Sequence, residues 1–119
     1  MESTDLQHKL KEEKEFLNKV YTKYTLHDDP QTRAMREFAC RIIRPYLNKE
    51  GHGLELGCSD GYFSEMLASE LKALDIVDGS LGFIEEAKKR NIKGARYFHS
   101  LFEEFTPDTD RNCAVMSGT

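Results

Sequence analysis

Two glycines and one acidic residue have the types and the spacing of a nucleoside-binding site. Gly57 and Gly61 lie in the stretch LELGCSDGYFSEML, directly after a short apolar run. Glycine at such a turn lets the backbone approach a ligand without an intervening Cβ, and it tolerates a positive φ. Asp78 follows about twenty residues later, where dinucleotide-binding folds place a carboxylate on the ribose hydroxyls. We predict that Gly57 makes the close approach and that Asp78 accepts from the ribose diol. Gly61 is expected to let the next helix start tightly against the strand.

The loop around these glycines lacks the two commonest phosphate-binding motifs. The dinucleotide fingerprint G-x-G-x-x-G would need two further glycines, at positions where this chain has Ser59 and Tyr62. No G-K-[S/T] follows the loop, which excludes a P-loop. Glu55 and Asp60 flank the loop, and the sequence gives them no basic neighbour. Their negative charge disfavours a diphosphate and favours a ligand that carries positive charge.

Alternating strand and helix patterns are expected to position the turn and the carboxylate. Short apolar runs predict strands over 53–57, 73–78, 95–100 and 113–117. Helical spacing predicts helices over 62–71 and 80–90. Strands that alternate with helices of this length indicate crossover connections and a parallel sheet. Ligands of such sheets bind beyond the carboxyl ends of the strands, where Gly57 and Asp78 would meet.

The N-terminal region predicts two amphipathic helices before the first strand. Apolar residues recur at helical spacing over 5–21, among many lysines and glutamates. A second helix is predicted from Pro30, with Asp29 as its N-cap, to about Leu47. The apolar positions that give this helix its spacing are Met35, Phe38, Ala39, Ile42, Ile43 and Tyr46. We therefore divide the chain into a helical cap, residues 1–48, and an α/β unit, residues 49–119.

Composition and charge exclude several classes of protein. The 119 residues carry 17 basic and 21 acidic side chains, a net charge of -4, with no long run of one sign. This balance argues against a nucleic-acid-binding surface. No apolar run is long enough to span a bilayer, and the charged N-terminus does not resemble a secretory signal. The three cysteines form no C-x-x-C pair, and no cluster of histidines or carboxylates has metal-ligand spacing. We expect a reduced, cytoplasmic protein that has no metal site and makes no contact with a membrane.

Four stretches in the second part of the chain resemble one enzyme family. They are LELGCSDGYFSEML, ALDIVDGSLGFIEEAKKR, ARYFHSLFEEF and CAVMS, within residues 50–119. They look like the first four strand-end motifs of the class I S-adenosylmethionine-dependent methyltransferases, in particular the small-molecule enzymes of ubiquinone and menaquinone type. The chain departs from the family at Ser59, where a middle glycine is common. The resemblance implies a Rossmann-like parallel sheet, S-adenosylmethionine as cofactor, and methyl transfer to an O, N or C atom of a small molecule.

The resemblance also assigns cofactor contacts to the loops after the predicted strands. The matching residues are Glu55, Gly57, Cys58, Gly61, Asp78, Gly79, Ser100, Leu101, Phe102 and Ser117. By this resemblance Glu55 helps to hold the ammonium of the methionine part, and Asp78 holds the ribose diol. Gly79 and residues 100–102 border the adenine, and Ser117 approaches the methionine end. No residue is assigned to catalysis, because the residues that often shape the substrate side in this family follow the fourth strand.

The last predicted strand lies within two residues of the end of the sequence. A doubly wound sheet normally has further strands, so we expect a methyltransferase fold truncated after about the fourth strand. The outer edge of that strand would be open to association with another copy. Two alternative functions stay open. One is a binding-only fragment or pseudoenzyme that binds the cofactor without turnover. The other is a nicotinamide-dependent oxidoreductase, against which the two missing glycines count.

Overall fold

The computed structural model of the chain describes residues 2–23, 30–108, 111 and 113–116. The helices are α1 (Glu2–Lys23), α2 (Pro30–Ile43), α3 (Tyr62–Ala68) and α4 (Leu81–Lys88), and a short 3₁₀ turn (Arg44–Tyr46) follows α2. The strands are β1 (His52–Leu56), β2 (Ala73–Asp78), β3 (Ala95–His99) and β4 (Cys113–Val115). Within the described ranges no helix combines the length and the apolar character that a membrane span requires.

The four strands form one parallel sheet in the order β3-β2-β1-β4. From β1 the chain proceeds outward to β2 and β3, and it then returns to add β4 on the other side of β1. This reversal of strand order leaves a crevice beyond the carboxyl ends of the strands, where α/β folds bind their ligands. The residues that follow β1 and β2 therefore lie at the crevice, as the strand pattern predicted.

The hydrophobic core lies between one face of the sheet and three helices. Leu74 and Ile76 of β2 are almost fully buried beneath α3 and α4. The helices contribute Cys40, Phe63, Leu67, Ile84 and Ala87 to the same cluster. Burying an aliphatic or aromatic side chain of this size stabilises the folded state by roughly 1.5–3 kcal/mol. The core thus fixes β1 and β2, and with them the turns that leave their carboxyl ends.

Helix α2 ends earlier, and buries different residues, than its apolar pattern suggests. The α-helix stops at Ile43 because Pro45 in the following 3₁₀ turn has no backbone N–H for a further helical hydrogen bond. Cys40 is buried against the core, with Ala39 and Ile43 beside it. The larger apolar residues that made the pattern are mostly exposed: Met35, Phe38, Ile42 and Tyr46. The N-cap predicted at Asp29 lies outside the described residues.

The remaining predicted elements are confirmed with small changes at their ends. Strand β2 has the predicted bounds, and the other strands differ by one or two residues at an end. Helix α3 stops three residues early at Ala68, because Ser69 takes over as the C-cap and its hydroxyl donates to the Met66 carbonyl at 2.6 Å. Leu71 is still buried as predicted, although it lies beyond the helix.

The second face of the sheet is partly covered by the chain that follows β3. Phe98 and Phe105 pack with their ring centroids 5.0 Å apart. Asp75 is fully buried on this face, where it accepts from Arg96 Nε at 2.8 Å and Nη2 at 2.9 Å and also pairs with Arg111. In the described part of the chain no strand pairs with the outer edge of β4. Association through this edge stays a prediction.

Candidate functional site

The turn after β1 is built from three residues with left-handed backbone. Gly57 and Gly61 both have a φ of 88°, and Ser59 between them has a φ of 51°. The Gly57 N–H donates to the Val77 carbonyl at 2.8 Å, which attaches the start of the turn to β2. Ser59 is thus a non-glycine residue in a backbone conformation that usually favours glycine.

Gly61 allows α4 to pack closely on the loop. A Cβ on this residue would lie 2.9 Å from the Ala87 Cα of α4 and 3.1 Å from the Arg90 Cδ. Gly61 is also the N-cap of α3, with left-handed backbone, and its predicted role in starting that helix tightly against the strand stays a prediction. The sequence indicates that a glycine is needed here but not that α4 packs against it, because α4 reaches this turn only in the folded structure.

Asp78 connects the turn after β1 to the turn after β2. Its Oδ2 accepts from the Cys58 N–H at 3.0 Å, and its Oδ1 accepts from the Ser80 N–H at 2.8 Å. The residue is 8% exposed. Oδ2 also accepts from the Cys58 thiol at 3.6 Å, so the free lone pair of the carboxylate is on Oδ1. Asp78 therefore holds the site together and still has acceptor capacity on Oδ1 for a hydroxyl group.

Ser80, rather than Asp78, caps helix α4. The Ser80 hydroxyl accepts from the Phe83 N–H at 3.4 Å, which is the usual role of an N-cap serine. Because Ser80 takes this role, the Asp78 side chain is directed to the backbone of the glycine turn instead.

Glu55 is a buried carboxyl with one unused oxygen. It is 1% exposed, and its Oε1 accepts from the Ser64 hydroxyl. Its Oε2 has no hydrogen-bond partner among the described residues. Burial raises the pKa of Glu55 to about 7, although the bond from Ser64 opposes the shift. A buried acceptor without a partner is unfavourable, so this carboxyl is prepared to receive a donor or a cation from a ligand.

One pocket of about 740 Å³ collects these groups. Its volume lies within the range typical of small-molecule sites. The predicted site residues that line it are Glu55, Gly57, Cys58, Asp78, Gly79, Leu101 and Phe102. Apolar side chains of four helices complete the walls: Leu17, Met35, Ala39, Phe63 and Phe83. The crevice predicted beyond β1 and β2 is thus a partly open, largely apolar space with a few carboxylates.

Two predicted contact residues, Gly61 and Ser100, do not line this pocket, and a third is not among the described residues. Gly61 packs against α4, as described above. Ser100 is engaged locally, since its N–H donates to the Asp78 carbonyl at 3.0 Å and its hydroxyl to the Leu101 carbonyl at 2.9 Å. It contributes to the site by fixing the end of β3 beside β2. Ser117 lies outside the described residues.

The cysteine in the turn is buried, and its surroundings favour the protonated thiol. Cys58 is 2% exposed, and its thiol lies 3.6 Å from Asp78 Oδ2. Burial, followed by the nearby charge of Asp78, raises the pKa of the thiol far above its ordinary value. A thiolate is the reactive form of cysteine, so Cys58 is a small lining residue here.

Two arginines neutralise the acidic loop, contrary to the expectation of no basic neighbour. Arg36 of α2 pairs with Asp60 Oδ1 at 3.2 Å. Arg90, beyond α4, donates from Nε to the Asp60 carbonyl at 2.8 Å. Both come from distant parts of the chain, which is why the local sequence did not reveal them. The preference for a cationic ligand therefore rests on Glu55 and Asp78 and not on Asp60.

Helix α1 covers the pocket and is tied down at two points. Asn18 Oδ1 accepts from the Gly82 N–H at 3.2 Å and from the Ser80 hydroxyl at 3.3 Å, at the first turn of α4. Lys14 pairs with Glu104 at 3.0 Å. Leu17 lies so close to Gly79 that a Cβ on Gly79 would be 2.5 Å from the Leu17 Cδ1. The sequence analysis missed Asn18 and Lys14, and no motif in the sequence marks them.

Comparison with known proteins identifies the fold. The sequence matches no known protein-family model, and no curated protein is similar enough to count as a relative. Solved structures do match. DhpI in complex with S-adenosylhomocysteine aligns with a TM-score of 0.73 and 20% identity, over 90% of this chain and 52% of that chain. DhpI in complex with SAM and HEP aligns with a TM-score of 0.70 and 20% identity, over 86% of this chain and 47% of that chain.

A named methyltransferase shows the same likeness. The N-methyltransferase NodS from Bradyrhizobium japonicum, with S-adenosylhomocysteine, aligns with a TM-score of 0.66 and 24% identity, over 75% of this chain and 46% of that chain. The chain thus has part of the α/β fold of class I methyltransferases, and the predicted fold class is confirmed. It spans about half the length of the structures that it matches.

Proposed function

We propose that this chain binds S-adenosylmethionine in the pocket beneath α1, as the cofactor of methyl transfer to a small-molecule acceptor. The observation that carries the proposal is Glu55, a buried carboxyl whose Oε2 has no described partner and which lines the same pocket as Asp78. S-adenosylhomocysteine or SAM in the DhpI and NodS structures supports the choice of nucleoside. The narrower likeness to ubiquinone- and menaquinone-type enzymes remains part of this proposal.

The residues present fit the cofactor at both of its polar ends. The Glu55 carboxylate would accept from the ammonium group of the methionine part and would balance positive charge. The free lone pair on Asp78 Oδ1 would accept from one ribose hydroxyl, and the second hydroxyl would replace the weakly donating Cys58 thiol at Oδ2. Leu101 and Phe83 offer apolar surface to the base. A Cβ on Gly79 would lie 2.5 Å from the Leu17 Cδ1, so the glycine supports close packing of α1 over this part of the pocket.

S-adenosylmethionine supplies an electrophilic methyl group when bound, so the protein has little covalent chemistry to perform. The described residues act by position. The bonds from Cys58 and Ser80 to Asp78 fix the carboxylate, and the bond from Ser64 fixes Glu55. Helix α1 contributes Glu13 and Leu17 to one wall of the pocket. Holding the reacting groups in line accounts for much of the acceleration in reactions of this type.

Binding of the demethylated product tests the proposal directly. Isothermal titration calorimetry of the chain with S-adenosylhomocysteine should show binding, and titration with NAD should show none. Asp78→Ala should weaken binding at least about tenfold, because hydrogen bonds to a charged group contribute roughly 1.5–3 kcal/mol. Asp5→Ala is the matched control: it removes an exposed carboxylate of α1 that does not line the pocket, and affinity should not change.

The outcomes of these titrations distinguish the proposed function from its two alternatives. If neither S-adenosylmethionine nor its product binds, the proposal is wrong. NAD binding in their place would favour the oxidoreductase alternative. Cofactor binding without turnover, over a panel of O, N and C acceptors, would favour the binding-only alternative.

A further inference from the structure

A fully buried polar side chain lies behind the wall of the pocket and does not line it. Ser64 of α3 is 0% exposed, on the same helix as the core residues Phe63 and Leu67. A hydroxyl in such surroundings is unfavourable unless it has a hydrogen-bond partner. Alanine would suit a buried helix position better, so the hydroxyl of Ser64 calls for an explanation.

The hydroxyl of Ser64 bonds across to strand β1. It donates to Oε1 of Glu55, and both side chains are buried. A serine in a helix often bonds to a backbone carbonyl of its own preceding turn, as Ser69 does with Met66. The Ser64 bond goes instead to the carboxyl of the candidate site. It therefore connects α3 with a buried acidic group that lines the pocket.

This bond determines which oxygen of Glu55 is left for a ligand. Oε1 is occupied by the Ser64 hydroxyl, whereas Oε2 has no partner among the described residues. The terminal torsion of a glutamate has a broad energy minimum, so a carboxylate without a fixed donor can rotate. A hydroxyl held on α3 restricts that rotation and leaves Oε2 as the acceptor.

The charge of Glu55 is set by groups on several segments. Burial has the largest effect on its pKa and raises it, and the bond from Ser64 comes next and lowers it. Asp78, at the end of β2, raises the pKa further through its negative charge, and Arg36 of α2 lowers it. The Cys58 thiol of the turn stays protonated and adds no charge. Among these groups, Ser64 favours the ionised carboxylate most strongly.

We propose that Ser64 is a positioning residue of the candidate site, which fixes the Glu55 carboxylate as the acceptor for the ammonium group of the ligand. The ligand is that of the proposed function, on which this inference rests. Ser64 acts through Glu55 and not by contact with the ligand, because it does not line the pocket. Loss of its hydroxyl would leave Oε1 without a donor and would favour the protonated carboxyl, which does not balance the charge of an ammonium group.

The first test follows the titration of Glu55 in the free protein, by NMR of its side-chain carboxyl carbon. Ser64→Ala should raise the midpoint of this titration by about one pH unit, because a hydrogen bond to a charged group is lost. Ser64→Thr keeps a hydroxyl at this position and should return the midpoint to that of the unaltered chain. Ser69→Ala is the matched control: it removes the hydroxyl at the C-cap of the same helix, which bonds to the Met66 carbonyl, and the midpoint should not move. Circular dichroism checks that each variant is folded.

The second test measures the affinity for S-adenosylhomocysteine by isothermal titration calorimetry at pH 7 and at pH 9. Ser64→Ala should weaken binding about fivefold at pH 7 and less than about twofold at pH 9, where Glu55 is ionised in either protein. Ser69→Ala should change neither affinity. A loss of equal size at both pH values for Ser64→Ala would show a merely structural effect and would overturn the inference.

The two tests separate this inference from the proposed function. If S-adenosylhomocysteine binds but the Glu55 midpoint is the same in Ser64→Ala, the inference is overturned and the proposed function stands. If S-adenosylhomocysteine does not bind the unaltered chain at either pH, the proposed function fails. A raised midpoint in Ser64→Ala would then still support the control of Glu55 by Ser64.

Discussion

Glu55 is a buried carboxyl, and its burial disfavours the ionised form. Because burial raises its pKa to about 7, the free protein carries this carboxyl largely protonated below neutral pH and largely ionised above it. A ligand that offers an ammonium group binds better to the ionised form. The affinity for the cofactor is therefore linked to the titration of this one group.

The first prediction at the residue scale concerns pH. The association constant for S-adenosylhomocysteine should rise about tenfold between pH 6 and pH 8, because the ionised fraction of a group with a pKa near 7 rises by that factor. Calorimetry across this range measures it. Glu55→Gln should bind more weakly at pH 8 and lose the pH dependence. A flat profile for the unaltered protein would show that Glu55 does not meet the ammonium.

At the scale of elements, α1 depends on its contacts with the α/β unit. Its sequence is charged and only weakly apolar, so α1 has little apolar surface with which to pack on the rest of the protein. Asn18 holds it through the first turn of α4, where backbone N–H groups lack helical partners. The helix that covers the pocket is therefore attached by a few specific contacts and not by a large core.

Asn18→Ala should release α1 from α4. We expect a loss of roughly 1 kcal/mol in unfolding free energy, as for the removal of a capping side chain. Hydrogen exchange of the α1 amides should become faster while that of β2 is unchanged. Asn18→Asp is the matched control: it keeps an acceptor and places a negative charge at the N-terminus of α4, so protection should be retained. Equal exchange rates in α1 for the alanine variant and the unaltered chain would contradict the attachment.

The elements also show how far the sequence carries a structural prediction. Strands β1 to β4 and the turn at Gly57 were predictable, because apolar runs, glycines and Asp78 are local signals. Which residues of α2 are buried was not predictable from the sequence. The apolar residues of α2 spread over a wide arc of the helix, and the side around Cys40 is the one that packs into the core. The sequence did not indicate that Asp75 is buried in ion pairs either, because its partners Arg96 and Arg111 come from other segments of the chain.

The residues of the candidate site also separate into those that the local sequence predicts and those that it does not. Glu55, Gly57 and Asp78 were found because they belong to a motif with fixed spacing. Arg36 and Asn18 were missed because their positions follow from the packing of α1 and α2, which the pattern of one helix does not determine. The division at residue 48, the cytoplasmic location and the cofactor contacts themselves stay predictions.

At the scale of the whole molecule, one buried charge connects several segments of the chain. Asp75 of β2 pairs with His52 of β1 at 3.1 Å, with Arg96 of β3 and with Arg111. Burial alone would raise the pKa of Asp75, but the hydrogen bonds from Arg96, His52 and Arg111 outweigh it and hold the pKa below its ordinary value of 3.8. The stabilisation is fully present above that value and is lost as the pH falls through the lowered one.

Asp75→Asn should destabilise the fold strongly. The Arg111 side chain is 5% exposed and would lose its buried counter-charge, a change that typically costs about 3–5 kcal/mol. Urea denaturation at pH 7 measures the loss. Asp108→Asn provides the contrast: Asp108 pairs with the same two arginines but its side chain is 61% exposed, so the expected loss of unfolding free energy is much smaller than for Asp75→Asn. Similar losses for both variants would show that burial of the pair is not what matters.

Asn18 meets Ser80, 62 residues further along the chain, and Lys14 meets Glu104 further still. Contacts between such distant segments are slow to form, since the intervening chain must first be brought together. Helix α1 precedes α4 and the loop after β3 in the chain, so it can cover the pocket only after both of those later segments have folded. Completion of the ligand cavity therefore depends on long-range contacts, and a small molecule that fills it would favour the state in which they have formed.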